Sequence, residues 1–394
     1  MSQFAESVNL VIDIGSSSLR VVAFSLTGQI IASEKLSYET FYPSLGWAEQ
    51  NPNDWIDSTL RALTRLMRTL PKNTRVNGLS CTGQCPTMVL VDRNFHLLGN
   101  ALTYQDNRSL KESLELVSDV GNNEVHFHSG HSIEPFFILP KLLWIKNNRG
   151  EIYNKIHKVI QPVDFIEHFL TGNLFTDGAY ACSTLAYDFR TGNWNTKLLN
   201  RLELDPGLFP QEIINSWDMV GPIKDEIAEL TGLPKGLPVI RGGPDSQCCS
   251  LGVAAIASDV LSNMSGTSTC LNRTITDPID DLGVGNYVHV LPDKMSAEVG
   301  LNTTGLSLRK IADLLFPELD EISLNEQVKN SLSTSPMGSH NLFFFPYLSD
   351  GERDNQQVKG GFYNLNMMVT KADLIRSVLE GVAFAEQNCL VLLL

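Results

Sequence analysis

The sequence lacks the features of a membrane or secreted protein. No apolar run approaches the ~20 residues that a membrane-spanning helix needs, and the amino terminus, Met-Ser-Gln-Phe-Ala-Glu-Ser, has no basic start of the kind that signal peptides carry. Basic residues are also few, because 30 Lys and Arg stand against 44 Asp and Glu and leave a net charge of -14. Proteins that bind nucleic acid need basic patches to displace counterions, so this charge argues against such a partner. We expect a cytoplasmic protein with no membrane and no nucleic-acid partner.

Cysteine patterns typical of zinc sites or disulfides are absent too. The chain has seven cysteines, an odd number, and no pair is spaced C-x-x-C. Its eight histidines show no metal-ligand spacing either. Free, buried thiols in a cytosolic protein are therefore expected.

The chain does have enough apolar content for large cores. With 394 residues, of which 43% are hydrophobic and 19% charged, two or more domains are expected. Strand-like and helical stretches alternate, which predicts an α/β architecture. The predicted strands are residues 10–12, 20–26, 29–33, 76–80, 88–91, 260–264, 269–275 and 287–291. Helices are predicted to begin at Asn51-Pro52, within 104–108, and at a capping box formed by Thr370 and Asp373. The helix that begins at Thr370 is expected to pack through Leu374, Val378, Val382 and Phe384.

The stretch Gly242-Gly-Pro-Asp-Ser-Gln-Cys248 is the centre of the sequence interpretation. It follows a strand-like run, 237–241, and its glycines let the backbone turn sharply and approach a ligand closely. Asp245 then lies where a strand passes into a helix, and there its carboxylate can face a cleft. The alternative is that Asp245 only caps the helix that follows.

Two other turns combine glycine with hydroxyl residues after a strand. They are Asp13-Ile-Gly-Ser-Ser-Ser18 and Met264-Ser-Gly-Thr-Ser-Thr269, and each opens a meander of strands. This likeness predicts two domains of related fold with a cleft between them, over residues 1–250 and 251–394.

Such turns suit phosphoryl transfer, although a plain structural turn is the alternative for each. Backbone N–H groups and hydroxyls can bind phosphate oxygens. Asp13 can hold Mg²⁺, which prefers one or two carboxylates together with phosphates. Asp245 can accept the proton of a substrate hydroxyl.

Taken together, the motifs resemble those of the FGGY carbohydrate kinases, and the likeness covers nearly the whole chain. The stretches that carry it include Val11-Ile-Asp-Ile-Gly-Ser-Ser-Ser18, Gly46-Trp-Ala-Glu-Gln-Asn-Pro52, Gly83-Gln84, Tyr104-Gln-Asp-Asn-Arg108, Pro140-Lys-Leu-Leu-Trp144, Gly242-Gly-Pro-Asp245, Gly266-Thr-Ser268, Gly351-Glu-Arg353 and Val378-Leu-Glu-Gly-Val-Ala-Phe384. Within the family the xylulokinases look most similar. The resemblance implies two actin-like (ribonuclease H-like) domains, ATP and Mg²⁺ as cofactors, and, by analogy with other members, a homodimer.

The resemblance also implies a role for each matching residue. Asp245 would be the catalytic base and Asp13 the carboxylate associated with Mg²⁺. The residues implied to bind ATP phosphates are Gly15, Ser16, Ser17, Gly266, Thr267 and Ser268. The residues implied to bind the sugar are Gln84, Cys85, Asp106, Asp245 and Ser246. The first domain would then bind sugar and phosphate, and the second would bind nucleotide.

Three departures from the family pattern leave the substrate open. Xylulokinases usually carry Met-His-Gly after the Gly-Gln pair, where this chain has Cys85-Pro86-Thr87, and they tend to carry Asn where it has Ser246. The family's adenine-binding segment is not among these residues, so the second domain is expected to be incomplete. Conversion of D-xylulose to xylulose 5-phosphate is the first expectation. The alternatives are a kinase for another ketose, a polyol or a sugar acid, and a sugar-binding protein without kinase activity.

Overall fold

A computed structural model describes residues 7–348 and 358–394 and shows an α/β protein. The helices are α1 Pro52–Thr69, α2 Leu110–Asp119, α3 Asn122–Ser129, α4 Ile138–Asn148, α5 Gly150–Tyr153, α6 Pro162–Thr171, α7 Gly178–Cys182, α8 Thr196–Arg201, α9 Asp225–Thr231, α10 Asp245–Gly252, α11 Gly305–Leu315, α12 Glu321–Thr334 and α13 Lys371–Leu393. The strands are β1 Ser7–Ile14, β2 Ser18–Ser25, β3 Ile30–Ser37, β4 Glu49–Gln50, β5 Arg75–Gly83, β6 Val89–Val91, β7 Ala101–Leu102, β8 Lys158–Ile160, β9 Thr176–Asp177, β10 Tyr187–Asp188, β11 Asn193–Trp194, β12 Ile213–Ile214, β13 Met219–Pro222, β14 Pro238–Ile240, β15 Leu261–Ser265, β16 Thr269–Ile275, β17 Gly285–Val288, β18 Met295–Leu301, β19 Phe343–Phe345 and β20 Gly361–Tyr363.

The chain divides into two compact units. The first contains residues 1–251 together with 286–296, and the second contains 252–285 together with 297–394. The short stretch 286–296 therefore returns to the first unit after the second has begun.

A six-stranded sheet forms the centre of the first unit, with the order β13-β14-β5-β1-β2-β3. Strands β1, β2 and β3 form the predicted antiparallel meander, whereas β5 runs parallel to β1 and β14 runs parallel to β5. Because parallel strands end at the same edge of a sheet, the loops that follow β1, β5 and β14 lie side by side.

Helix α1 begins where the sequence predicts it. The Asn51 side chain accepts a hydrogen bond from the Asn53 N–H, and Pro52, whose missing N–H costs nothing at a helix start, occupies the first turn. Trp55 and Leu63 on its apolar face are fully buried in the core, and the helix packs against β2 and β3. Burial of each such side chain contributes roughly 1.5–3 kcal/mol.

The helix predicted to begin within residues 104–108 is wrong, because α2 begins only at Leu110. The Asp106 carboxylate accepts hydrogen bonds from the backbone N–H groups of Ala48 and Arg108. A short acidic side chain that bonds to nearby backbone in this way competes with helix formation.

The second unit contains the strands β15, β16 and β18, hydrogen-bonded in that order, and the helices α11, α12 and α13. The capping box predicted for α13 is confirmed, since Thr370 and Asp373 bond to each other's backbone N–H. The prediction that Phe384 packs inward is wrong, because 57% of this residue is exposed. The buried stripe of α13 runs through Ile375, Val378, Ala385 and Cys389, and Phe384 lies off this face.

All seven cysteines lie within the described residues and none forms a disulfide, and Cys249 is exposed, contrary to the expectation of burial. In the part of the chain that the structure describes, no helix combines the length and the apolar character needed to cross a membrane.

Candidate active site

Three predicted segments lie together at one edge of the six-stranded sheet. Ile14 at the end of β1 pairs with Gly83 at the end of β5, and Gly83 in turn forms a bridge with Pro244 after β14. The turn of residues 15–17, the stretch that begins at Gln84 and the turn that carries Asp245 are therefore neighbours in the first unit.

The turn between β1 and β2 is held from behind by its carbonyl groups. Tyr38 Oη donates to the Gly15 carbonyl, and Gln50 Nε2 donates to the Ser16 carbonyl over 2.6 Å. In a planar trans peptide the C=O and the N–H that follows it point in opposite directions. The anchored carbonyls therefore turn the N–H groups of Ser16 and Ser17 away from their supports. Among the residues that the structure describes, neither N–H group donates to a protein atom, so both can bind an anion.

Gln84 lies behind this turn and is almost completely buried. Its backbone N–H donates to the Ile14 carbonyl, and its Nε2 donates to Gln50 Oε1 over 2.8 Å. Its Oε1 accepts from Thr87 Oγ1. The resemblance assigns the Gln84 side chain to the sugar, but here it donates to Gln50, which in turn donates to the Ser16 carbonyl.

Asp13 is the next-to-last residue of β1 and is half-buried. Burial raises the pKa of its carboxyl group above the usual value, and the nearby Arg20 partly offsets this increase. Asp13 also adds to the effect of burial in raising the pKa of Tyr38, so the carboxylate lies close to the phenol that supports the Gly15 carbonyl.

The turn that precedes Asp245 is packed tightly against β5. A Cβ atom on Gly242 would lie 1.9 Å from the Cys81 carbonyl oxygen, so only glycine fits there. Thr82 Oγ1 donates to the Gly243 carbonyl over 2.7 Å. The buried Tyr180 Oη lies within hydrogen-bond distance of the same carbonyl, at 3.3 Å, and of the last carbonyl of β5, at 3.0 Å. The backbone before Asp245 is therefore fixed by several independent contacts.

Asp245 itself is half-buried and forms the first residue of α10. Its Oδ1 accepts a hydrogen bond from the Ser246 N–H over 2.8 Å. This contact is to the very next residue, whereas an N-cap side chain accepts from the N–H two or three residues further along. Burial is the main cause that raises the pKa of Cys249, and the Asp245 and Asp13 carboxylates add to it. Both carboxylates therefore lie near the same thiol.

Asp106 is fully buried, and both of its oxygens accept from protein donors. Arg108 binds it through Nε at 2.8 Å and Nη2 at 2.7 Å, and the Ala48 N–H lies 2.7 Å from Oδ2. The same guanidinium pairs with Glu49 at 2.7 Å and stacks 3.7 Å from the centre of the Trp47 ring. The structure thus places Asp106 inside the wall of the first unit.

Two residues near this wall are missing from the set chosen from the sequence. Lys141 is fully buried, its Nζ donates to the Thr103 carbonyl over 2.6 Å, and burial lowers its pKa to about 7, against the opposing effect of Asp106. The half-buried Tyr104 Oη lies 3.0 Å from Ser16 Oγ. A lysine within the apolar run of α4 is the sequence feature that could have revealed the first. A thiolate at the half-buried Cys85 would raise the pKa of Lys141. Cys85 therefore lies near the same wall.

In the second unit, the turn of Gly266, Thr267 and Ser268 repeats the arrangement after β1. Gly266 N–H donates to the Ser268 carbonyl, and the first N–H groups of α11, those of Gly305 and Leu306, donate to the carbonyls of Gly266 and Thr267. Over residues 7–348 and 358–394, the N–H groups of Thr267 and Ser268 donate to no protein atom. The Gly351-Glu-Arg353 motif lies outside the described residues.

The chemistry of these residues fits Mg²⁺ that binds together with phosphate. Asp13 provides one half-buried carboxylate at the end of β1, just before the turn of Gly15, Ser16 and Ser17, and Mg²⁺ commonly takes one or two carboxylates with phosphate oxygens and water. No group of three or more His, Cys, Asp or Glu that could hold a metal alone occurs within the described residues. The donor set therefore suits a metal that arrives with a nucleotide.

Comparison with known proteins identifies the family. Residues 8–252, from β1 to the end of α10, match the family model described as "FGGY family of carbohydrate kinases, N-terminal domain". The chain belongs to the FGGY family of carbohydrate kinases. The resemblance inferred from the motifs is confirmed, and the protein is a kinase.

Named relatives include two kinds of sugar kinase. A xylulose kinase of Staphylococcus xylosus is 28% identical over 380 residues, which cover 95% of this chain and 77% of that protein. A gluconokinase of Bacillus subtilis is 28% identical over 389 residues, which cover 96% of this chain and 75% of that protein. The crystal structure of xylulose kinase from Rhodospirillum rubrum matches with a TM-score of 0.90 and 26% identity over 98% of this chain and 78% of that one. The predicted sugar-kinase fold is thereby confirmed.

Proposed function

We propose that this FGGY kinase transfers the γ-phosphate of ATP to a hydroxyl of a small sugar, with D-xylulose as the first candidate and xylulose 5-phosphate as its product. One observation carries the proposal: Asp245 and the available N–H groups of Ser16 and Ser17 lie at the same edge of the sheet, after β14 and β1. The similarity to xylulose kinases supports the choice of sugar.

Asp245 is the proposed base. Its carboxylate accepts the proton of the sugar hydroxyl as the hydroxyl oxygen forms a bond to the γ-phosphorus and the bond from that phosphorus to the departing ADP oxygen breaks. The products are the sugar phosphate, ADP and a proton on Asp245 that water then removes. The turn of Gly242 and Gly243, fixed against β5, keeps the carboxylate in place through this transfer.

The two hydroxyl-rich turns are the proposed phosphate-binding elements. The N–H groups of Ser16 and Ser17, with Gly15 beside them, would bind phosphate oxygens in the first unit, and the turn Gly266-Thr-Ser268 would do so in the second. Asp13 would hold Mg²⁺, which neutralises phosphate charge when bound. We accordingly assign sugar and phosphate binding to residues 1–250 and nucleotide binding to 251–394.

Cys85, Tyr104 and Ser246 are the residues proposed to bind the sugar, with Gln84 and Asp106 supporting the site from inside. Pro86 replaces a histidine of the xylulokinase pattern and removes a donor that could bond to a sugar hydroxyl. A gluconokinase is as similar to this chain as a xylulose kinase is. A sugar acid, another ketose or a polyol is therefore the second candidate for the acceptor.

A panel of acceptors tests the proposal. The full chain is incubated with ATP and Mg²⁺ and with D-xylulose, D-ribulose, gluconate or glycerol; ADP release is followed by a coupled assay, and the phosphorylated product by mass spectrometry. We expect turnover with at least one acceptor in the wild type and its loss in Asp245→Asn. If a sugar binds by calorimetry but no acceptor is phosphorylated, the protein is a sugar-binding protein and the proposed kinase reaction is wrong. If gluconate is preferred, the reaction stands and D-xylulose is replaced as its substrate.

A further inference from the structure

Arg241 lies directly before the turn that carries Asp245 and is completely buried. Its guanidinium forms three ion pairs: Nη2 with Asp164 at 2.7 Å, Nη1 with Glu167 at 2.5 Å and Nε with Asp177 at 2.7 Å. All three carboxylates are themselves buried. One cation therefore stands against three acidic groups inside the first unit.

Such a cluster destabilises the folded protein if every carboxylate is ionised, because a buried charge needs an opposite charge and hydrogen bonds. Asp164 and Asp177 each have both oxygens engaged: Asp164 Oδ2 accepts from the Gln161 N–H at 2.9 Å, and Asp177 Oδ1 accepts from the Ala179 N–H at 2.8 Å. Glu167 differs, since among the described residues its buried Oε1 has no hydrogen-bond partner. Glu167 therefore accepts the fewest hydrogen bonds of the three carboxylates, so its surroundings stabilise the ionised form least.

We propose that Arg241 is a positioning residue for Asp245, and that Glu167 holds a proton in the folded protein and so keeps the Arg241 cluster stable. Arg241 touches no reacting atom. The role of Asp245 rests on the proposed function, whereas the protonation of Glu167 does not.

The contacts of Arg241 explain how it would position the turn. Its backbone carbonyl accepts from Ser80 Oγ at 3.0 Å, and its N–H donates to the Asp218 carbonyl at 2.9 Å, so the end of β14 is fixed on both sides. Asp177, one of its ion-pair partners, also caps the start of α7 through the Tyr180 N–H. Tyr180 Oη in turn contacts the Gly243 carbonyl in the turn itself. The cluster therefore holds the turn from both the strand and α7.

Burial is the main cause that raises the pKa of Glu167, to about 8, while Arg241 opposes it. The charged or titratable groups that act on Glu167 are Arg241, Asp164 and Asp177 within the cluster and Cys81 beside it, while Tyr180, Cys182 and Tyr187 act on the other members. The ordinary pKa of this carboxyl group is 4.5. Between that pKa and about 8, the folded protein therefore holds a proton that the unfolded chain releases. The stability from this group is fully present below that ordinary value and is lost as pH rises towards 8.

A pH series of melting temperatures tests the protonation of Glu167 without any substrate. Glu167→Gln replaces a protonated carboxyl by a neutral group of the same shape. We expect it to match the wild type near pH 5 and to become progressively more stable than the wild type up to about pH 8. Asp164→Asn lies on the same helix and should lower the melting temperature at every pH, because its amide would direct N–H groups at N–H donors. Glu151→Gln, on an exposed residue, serves as the control. A stability difference between Glu167→Gln and the wild type that stays constant from about pH 5 to about pH 8 would show that Glu167 is ionised throughout and would overturn this part.

Steady-state kinetics test the positioning role. Arg241→Lys keeps one charge but cannot reproduce three directed ion pairs. We expect kcat to fall by about 10²-fold, as for small displacements of a reacting group, with a much smaller change in the sugar KM and a shifted acid limb in the pH–rate profile. Leu199→Ala, in the separate core around α4 and α8, supplies a destabilised variant with the turn intact.

Tyr180→Phe retains the ion pairs and removes the hydroxyl contacts to the Gly83 and Gly243 carbonyls, so it tests the link from α7 to the turn should Arg241→Lys fail to fold. Its kcat should also fall at unchanged sugar KM. If kcat of Arg241→Lys equals that of Leu199→Ala at a temperature where both are folded, Arg241 does not position Asp245. The same conclusion holds if Arg241→Lys does not fold and kcat of Tyr180→Phe equals that of Leu199→Ala. Absence of turnover in the wild type would instead reject the proposed function, and the melting series would still decide the state of Glu167.

Discussion

Gln84 donates a hydrogen bond from its side-chain amide to the side-chain carbonyl of Gln50 over 2.8 Å, and this pair lies behind the turn of Ser16 and Ser17. The two glutamines come from stretches that are 34 residues apart. Trp55 Nε1 adds a further donor to the Gln50 carbonyl oxygen at 3.2 Å. Gln50 is thereby held with its amide towards the Ser16 carbonyl, and this orientation leaves the Ser17 N–H directed outwards.

The first prediction concerns the Gln50 brace, by which we mean the hydrogen bonds from Gln84 to Gln50 and from Gln50 to the Ser16 carbonyl. Gln50→Leu removes the donor to the Ser16 carbonyl and the acceptor of the Trp55 indole N–H, and it leaves Gln84 Nε2 with the 3.4 Å contact to the Gly15 carbonyl. Loss of a partner by a buried polar group costs about 1–3 kcal/mol. The N–H groups of the turn should lose their fixed direction. We expect the KM for ATP to rise about tenfold, with little change in the sugar KM, in initial-rate measurements. Gln29→Leu, on an exposed residue, should leave both constants unchanged; an equal rise in both constants for Gln50→Leu would contradict the role of the brace.

The second prediction concerns the base. Asp245→Asn should lower the rate of phosphorylation by ~10²–10⁴-fold, because removal of a positioned general base typically has this effect. Sugar binding should survive within roughly tenfold, since the side-chain shape is retained. Rapid-quench measurement of sugar phosphate and titration calorimetry give the two quantities. Asp57→Asn on the exposed face of α1 is the matched control, and near-normal turnover in Asp245→Asn would rule out Asp245 as the base.

Local patterns in the sequence predicted those parts of the fold that local physics decides. The Asn51 cap, the capping box of Thr370 and Asp373, and the meander after Asp13 depend on neighbouring residues, and the structure confirms each. The helix expected within 104–108 failed because Asp106 bonds to Ala48, a contact between residues far apart in sequence.

The candidate site shows the same limit. Residue type and turn context select Asp13 and Asp245 as candidates, and both carboxylates add to the raised pKa of Cys249; their roles stay predictions. Residue type and turn context could not show that Gln84 is turned inwards to Gln50 or that Arg241 meets three carboxylates, because those partners are brought together only by the packed sheet and helices. Burial, which decides these roles, is a property of the tertiary structure.

The third prediction concerns Lys141, whose pKa is lowered by burial to about 7 from an ordinary value of 10.5. The folded protein releases a proton that the unfolded chain keeps, so the stability from this group is present above the unfolded pKa and is lost as pH falls towards 7. The wild type should therefore gain stability relative to Lys141→Met as pH rises from about 7 to about 9. Urea denaturation at several pH values measures the gap. Lys72→Met, on an exposed residue, should run parallel to the wild type, and a constant gap for Lys141→Met would show that Lys141 remains charged.

The last prediction separates two roles for Asp106. Because both oxygens are bound by Arg108 and by the Ala48 N–H, we expect Asp106 to support the wall of the sugar site without touching the sugar. Asp106→Asn and Arg108→Lys should each destabilise the protein by about 3–5 kcal/mol, the usual effect of breaking a buried ion pair, as measured by urea denaturation.

The sugar KM should rise by a similar factor in both Asp106→Asn and Arg108→Lys, since each loosens the same wall. The double variant Asp106→Asn/Arg108→Lys closes a double-mutant cycle, in which the combined loss of stability should be smaller than the sum of the two single losses, because each substitution already disrupts the same ion pair. A direct contact with the sugar predicts a different pattern. Asp106→Asn would then raise the sugar KM far more than Arg108→Lys does, at equal stability, because only the first substitution removes a group that the sugar binds.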